Sequence, residues 1–207
     1  MHIEAIWSEA RPILSKLTSF KQLEQFYLVG GTALAFQIGH RLSVDLDWFS
    51  QTSLPKDLLE QLEAFFPEAK VVLEINNGRE LTVKINGVKV TFLHYPFPLV
   101  EKLLTSDGYK LASVMDIAVM KAHTLGRRAA FRDYVDLYCI LQDKVSLPQL
   151  LQKASECFGE EFNQRLFLEQ LVYLKDITED GVNFLGKGID KQSMQSFFEE
   201  LVKKLVV

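Results

Sequence analysis

Cysteine is scarce: Cys139 and Cys157 are the whole complement in 207 residues, too few for a disulfide framework and without the paired spacing of a zinc site. Both read as small core residues. With six prolines and eleven glycines there is little room for a long linker or a low-complexity segment, and no internal repeat is visible. No apolar run reaches the ~18–20 residues of a membrane span, and the opening MHIEAIWSEARPILSKL carries acids inside its apolar stretch, unlike a signal peptide. The expected setting is a reducing cytoplasm, with no membrane partner. Positive charge is not in excess either: 23 Lys and Arg against 27 Asp and Glu give a net charge of −4. That balance excludes a global polycation, so any RNA contact must come from a local patch. What the chain does have is 48% hydrophobic residues and fifteen phenylalanines, enough for one large domain or a core with an appended lobe.

Apolar positions Ile6, Ile13, Leu14 and Leu17 predict one helix or two short ones over residues 3–18, with a break near Pro12. Phe26-Tyr27-Leu28-Val29 then runs into Gly30-Gly31, and strong helix formers follow from Thr32 to Ile38 before Gly39: strand, glycine turn, helix. Val44, Leu46 and Trp48 alternate with Asp45 and Asp47, which predicts a second strand with both carboxylates on one face. Residues 55–66 carry the stripe of an amphipathic helix that Pro67 ends. Strands are expected at 70–75, 79–85 and 88–94, joined by Asn76-Asn77-Gly78 and by the type I′ signal Asn86-Gly87. Past Tyr95-Pro96-Phe97-Pro98 the pattern becomes helical, at about 113–125, 133–143, 147–157, 160–174 and 190–206, with no clear strand. The expected architecture is an α+β core over residues 1–100, a mixed sheet with flanking helices, and a helical lobe over 101–207.

Gly30-Gly31-Thr32, followed after twelve residues by Asp45-Leu46-Asp47, is the most informative constellation. Two glycines at a strand-to-helix turn let the backbone approach a ligand closely, and a helix start offers N–H groups and a positive dipole end to phosphate. Adjacent aspartates supply hard oxygen ligands suited to magnesium that also grips triphosphate oxygens. Each half alone has an ordinary reading, a tight turn or a solvated strand edge. Together they describe a nucleotide site.

The stretch YLVGGTALAFQIGHRLSVDLDWFS, residues 27–50, resembles the signature of the AbiEii/AbiGii toxin family within the DNA polymerase β-like nucleotidyltransferase superfamily, Gly39-His40-Arg41 and Ser43 included. Asp116-Ile117-Ala118-Val119-Met120-Lys121 and FRDYVDLY, residues 131–138, resemble the family's D-x4-K and R-D-x-x-D-L segments. The likeness is sharp over 26–50 and 113–141 and only a matter of pattern elsewhere. It implies a nucleotidyltransferase-like fold whose helical lobe closes a nucleotide cleft, and transfer of an NMP group from a nucleoside triphosphate. It also implies Mg2+ or Mn2+ on Asp45 and Asp47, phosphates on Gly30, Gly31 and Thr32 with Arg41 and Ser43 nearby, Lys121 neutralising the triphosphate, and Asp133 or Asp136 completing the site. Family members are toxins paired with a DNA-binding antitoxin, which implies that partner here and RNA, notably transfer RNA ends, as acceptor.

Several of these residues have structural readings too. Asp133 can be an N-cap with Asp136 as its capping-box partner and Arg132 in an i,i+4 pair with Asp136. Lys121, among apolar neighbours, either snorkels outward or faces a cleft. Arg127, Arg128 and Arg132, with Lys121 and His123, form the densest basic cluster, suited to a triphosphate tail or an RNA backbone, or to a solvated helix end. His40-Arg41 either reaches phosphate or pairs with a helix C-terminus, and His94 reads as structural. One departure from the superfamily stands out: strand 88–93 has no acid where many members place a third carboxylate, and Thr91 or Lys89 stands there. Either one metal suffices, or Asp133 or Asp136 fills the place, or nucleotide is bound without efficient transfer. The alternative readings are therefore a non-catalytic nucleotide- or partner-binding module and a small-molecule nucleotidyltransferase.

Overall fold

A computed structural model describes residues 1–125, 127, 128 and 130–205; the expected end of the last helix at residue 206 lies outside them. The chain divides into two compact units, Met1–Pro98 with Lys102–Ala112, and Leu99–Glu101 with Ser113–Val207. The fold is α+β. Among the described residues no helix is long and apolar enough to cross a membrane.

The first unit is built on a seven-stranded mixed sheet, in the order β3-β4-β5-β2-β1-β7-β6. Its strands are β1 (Tyr27–Val29), β2 (Leu46–Ser50), β3 (Val71–Asn76), β4 (Glu80–Ile85), β5 (Val88–His94), β6 (Leu104–Ser106) and β7 (Tyr109–Leu111). β2 runs parallel to β5 and antiparallel to β1, so it sits at the centre of the sheet. Period-2 side-chain geometry sorts its residues as the alternation predicts: Leu46 and Trp48 are fully buried while Asp47 and Phe49 are half-buried. On the same core face lie Val83, Ile85, Val90 and Phe92, with Phe26 packed edge-on to Phe92 at a ring separation of 5.0 Å. Asn86 and Gly87 both take positive φ, 49° and 88°, the type I′ turn expected there. Helices α1 (Ala10–Leu17), α2 (Gly30–Ile38) and α3 (Leu58–Phe65) belong to this unit. The break expected at Pro12 lies earlier, between a short 3-10 turn at Ile3–Ala5 and α1, and Pro12 falls in the first turn of α1, where a missing N–H costs nothing.

Three expectations need correction. β2 begins at Leu46 and Val44 is exposed, since just before the strand Ser43 pairs with the N-terminal segment at Ile6 instead. The region after residue 100 is not wholly helical: Asp107 and Gly108, both at positive φ, close the β6–β7 hairpin, and β7 adds in parallel to β1 through Leu28 and Leu111. The division between units accordingly falls at 112/113, with 99–101 in the second, rather than near residue 100.

The second unit contains α4 (Val114–Leu125), α5 (Phe131–Asp143), α6 (Leu147–Phe158), α7 (Gln164–Val172) and α8 (Lys191–Lys203). Their starts follow from sequence: Ser146 and Gln149 form a full capping box on α6, Asn163 caps α7 and Asp190 caps α8. Tyr134 on α5 is fully buried and donates its hydroxyl to the Gln170 carbonyl at 3.0 Å; burial, then the charge of Asp133, pushes that phenol up to about 12. Cys139 and Cys157 are free and half-buried, and burial raises the Cys157 thiol to about 11, so it is an unreactive thiol at neutral pH.

Candidate active site

α2 starts two residues earlier than its helix formers suggest, at Gly30 itself, directly after β1. Val29, the last residue of β1, is the register partner of Asp47, so the first turn of α2 and the Asp47 side chain meet. Both glycines are required by what presses on them. Gly30 has a φ of +68°, and a Cβ there would lie 2.7 Å from Asp47 Oδ2. A Cβ on Gly31 would collide with Arg41 Nη2 and stand 3.3 Å from Ser43 Oγ. Gly30→Ala is expected to cost about 1–2 kcal/mol for the left-handed backbone alone, measured by urea denaturation, and to displace the Asp47 carboxylate besides.

Thr32 is fully buried, and its hydroxyl fixes the loop that carries Asp45. It donates to the Asp45 carbonyl and lies 2.8 Å from Ser43 Oγ, which in turn donates to it, since one hydroxyl proton cannot serve both acceptors. With the side chain committed, what Thr32 can offer a phosphate is its backbone N–H, one of the first-turn groups without a partner inside the helix. Replacing Thr32 with Val should destabilise the protein by about 1–3 kcal/mol, the cost of a buried carbonyl and hydroxyl left unpaired. Chemical denaturation of the purified variant measures it. Ser43 is held from the other side: its N–H donates to the Ala5 carbonyl at 2.8 Å and its carbonyl accepts from Trp7 N–H at 2.9 Å. Residues 5–7 therefore position the acidic loop, a role no local pattern in the sequence discloses. Arg41 is buried and donates from Nη1 to the Leu42 carbonyl at 3.1 Å.

Asp45 and Asp47 are both half-buried, at successive outward positions around the start of β2. Among the described residues no group of three or more His, Cys, Asp or Glu side chains is placed to hold a metal ion. Asp47, with its carboxylate against the glycine-lined helix start, and Asp45, two residues before it, nevertheless offer the hard oxygens that suit magnesium, which keeps water and substrate oxygens in most of its six positions. The register partner of Asp47 on β5 is Thr91, so that strand sets a hydroxyl rather than an acid beside Asp47.

In the second unit Lys121, Asp133 and Asp136 come together. Lys121 Nζ lies 2.8 Å from Asp133 Oδ1 and 2.6 Å from Asp136 Oδ2, and all three side chains are buried. Burial pulls the Lys121 ammonium down, but Asp136 and Asp133 more than offset it, and its pKa stands above the ordinary lysine value. The lysine thus turns inward and does not snorkel. The capping reading of Asp133 is also overturned: the N-cap of α5 is Ala130, and Asp133 lies inside the first turn. The residues of the expected basic cluster each have neighbours of their own. Lys121 is spent on carboxylates, His123 stacks on Phe158 at 4.0 Å with its pKa lowered by burial and then by Arg127, and Arg127 reaches Glu161 at 3.5 Å. Arg128 keeps contact with the cluster, 3.8 Å from Asp133 Oδ2, while Arg132 is exposed on α5. Asp116 closes the start of α4, accepting from Ser113 Oγ at 2.7 Å and from the Val100 N–H at 2.7 Å.

The family model described as Nucleotidyl transferase AbiEii toxin, Type IV TA system, matches residues 13–204. An uncharacterized protein of Aquifex aeolicus is 28% identical over 204 residues, spanning 95% of each chain. Among solved structures, the Mycobacterium tuberculosis nucleotidyltransferase toxin MenT4 is similar with a TM-score of 0.61 at 15% identity, over 94% of this chain and 82% of that one. JHP933 from Helicobacter pylori is similar with a TM-score of 0.58 at 19% identity, over 95% and 90%. At such identities the two structures speak for the fold.

Proposed function

Because the chain belongs to the AbiEii family of nucleotidyl transferase toxins, we propose that it moves an NMP group from a nucleoside triphosphate to an acceptor hydroxyl, with an RNA end, such as that of a transfer RNA, as acceptor and a DNA-binding antitoxin as its partner. The observation that carries this reading is the meeting of the first turn of α2 with Asp47 across Gly30. In this reading the first-turn amides of Gly30, Gly31 and Thr32, at the positive end of the helix dipole, hold the phosphates. Asp45 and Asp47 hold a divalent metal, for which magnesium is the first choice. When bound, the metal neutralises charge on the transferring phosphoryl group. The acceptor oxygen forms a bond to the α-phosphorus, the bond to the β-phosphate bridging oxygen breaks, the hydroxyl proton is lost and pyrophosphate leaves. Such a displacement asks the protein for positioning and charge stabilisation more than for covalent chemistry.

The proposal also keeps Lys121, Asp133 and Asp136 as functional residues, with Arg128 and Arg132 as nucleotide or RNA contacts. Its support is energetic: a buried ionic cluster is a costly way to hold helices together, since well-packed apolar residues do as well or better. Asp133 Oδ2 is buried without a hydrogen bond, a further sign that stability alone did not shape the cluster. The test is incubation of the purified protein with each labelled nucleoside triphosphate, magnesium, total RNA and a panel of hydroxylated small molecules. Label on RNA supports the proposal. Faster labelling of a small molecule would select the small-molecule enzyme, and nucleotide binding without transfer would select the non-catalytic module.

A further inference from the structure

The β4–β5 hairpin has two chemically opposite faces. Leu81, Val83, Ile85, Val88, Val90 and Phe92 point into the core and are at most 2% exposed. The other face carries Glu80, Thr82 and Lys84 on β4 and Lys89 and Thr91 on β5, in the register Thr82 with Thr91 and Lys84 with Lys89. Asp47 is the register partner of Thr91 on the neighbouring strand, so this polar face is continuous with the face that bears the proposed metal ligand. Two details are unlike an ordinary solvated strand surface. Lys84 and Lys89 stand directly opposite each other, a destabilising arrangement for like charges, and both are exposed; one carboxylate, Glu74, serves the two, bonded to Lys84 at 2.7 Å and within the field of Lys89. Glu80 is half-buried and drawn inward along its strand: its Oε1 accepts from Thr82 Oγ1 at 2.7 Å, and Thr82 Oγ1 is 3.3 Å from Thr91 Oγ1.

We propose that this face of the hairpin is the seat of the acceptor, a single-stranded RNA end, with Lys84 and Lys89 holding backbone phosphate and Glu80 accepting a hydrogen bond from a hydroxyl of the terminal ribose. The inference rests on the nucleotidyl-transfer reading and specifies its acceptor. A net-acidic chain needs local cations to hold RNA, and Lys84 and Lys89, the next pair along this face from Thr82 and Thr91, supply two exposed ammonium groups that share the carboxylate of Glu74. The vicinal hydroxyls of a ribose are less than 3 Å apart, roughly a hydrogen-bond length, so a terminus that presents one to the α-phosphorus beside Asp47 carries the other toward the threonine row. There a carboxylate held by a buried hydroxyl tells ribose from deoxyribose. Glu80 is a specificity residue in this scheme, and Thr82 and Thr91 position it.

The test uses the full chain and fluorescence anisotropy with a short 5′-labelled single-stranded RNA, beside the same oligomer ending in a 2′-deoxynucleotide, across a salt series. Lys84→Ala with Lys89→Ala should weaken RNA binding roughly tenfold near 0.1 M salt and flatten the log–log salt slope by about 1.4, two phosphates' worth for a single strand. The Lys84→Arg, Lys89→Arg pair should bind as the wild type does. Glu80→Gln should erase a roughly tenfold preference for the ribose terminus without changing affinity for a nonhydrolysable ATP analogue. Unchanged RNA affinity in the alanine double variant, or an undiminished ribose preference in Glu80→Gln, overturns the inference. So does loss of affinity for a protein partner with RNA binding intact, which would make the face a protein-docking surface. Nucleotide transfer by the wild type is assayed in parallel: its absence counts against the transfer reading, whereas transfer that persists beside unaltered RNA binding in the variants sinks only the acceptor seat.

Discussion

Asp47→Asn is expected to lower nucleotidyl transfer by roughly 10³-fold, since losing a metal-binding carboxylate forfeits several kcal/mol of charge stabilisation at about 1.4 kcal/mol per tenfold. The change keeps the shape that fits against Gly30 and removes the charge. Folding should therefore persist, as judged by circular dichroism, while steady-state assays with labelled nucleoside triphosphate show the loss mostly in kcat. Asp45→Asn should behave alike, because Asp45 offers its oxygens from the adjacent outward position and its carbonyl is already held by Thr32. A loss below tenfold in both variants would remove the pair from the metal site.

Lys121→Ala is expected to destabilise the protein by about 3–5 kcal/mol, because two buried carboxylates lose the charge that compensates them. For a chain of this length that lowers Tm by roughly 10 °C or more. Asp136 is fully buried. The pH dependence has a definite sign. In the wild type the Lys121 pKa is raised, so its contribution is fully present below the unfolded lysine value and is lost only as pH rises through the higher folded one. In the variant the two buried acids have lost the ammonium between them, so the stability deficit should shrink as pH falls from 7 toward 4 and acid removes their charge. Differential scanning calorimetry at several pH values measures both effects, and a deficit independent of pH would mean that the cluster is not held by charge.

What could be read in the sequence was what local chemistry controls. Asn86-Gly87 demanded a type I′ turn, Asp45-Leu46-Asp47 demanded outward carboxylates around a buried Leu46, and Ser146 with Gln149 cap α6 as their spacing allows. Glycine propensity misplaced the start of α2, because the helix begins at Gly30, whose φ of +68° suits glycine, and Asp47 and Arg41 lie where a side chain on Gly30 or Gly31 would be. The β6–β7 hairpin carried a legible Asp107-Gly108 signal, but strands of three residues are too short to show alternation. Long-range partners left no trace. Nothing in the spacing of Lys121, Asp133 and Asp136 says that α4 and α5 close an ion cluster, and nothing near Ser43 points to the Ala5 and Trp7 backbone that anchors it. The same holds for Thr91, which register sets beside Asp47, and for Thr82, which it sets beside Thr91 on the next strand.

On the proposed reaction the new bond is made at the α-phosphorus of a nucleoside triphosphate. Parallel incubations of the protein and RNA with α-labelled and γ-labelled nucleoside triphosphate address it directly. Label is expected on RNA from the α position only, with unlabelled RNA and labelled pyrophosphate from the γ position. RNA labelled from the γ position, or from neither, would contradict it.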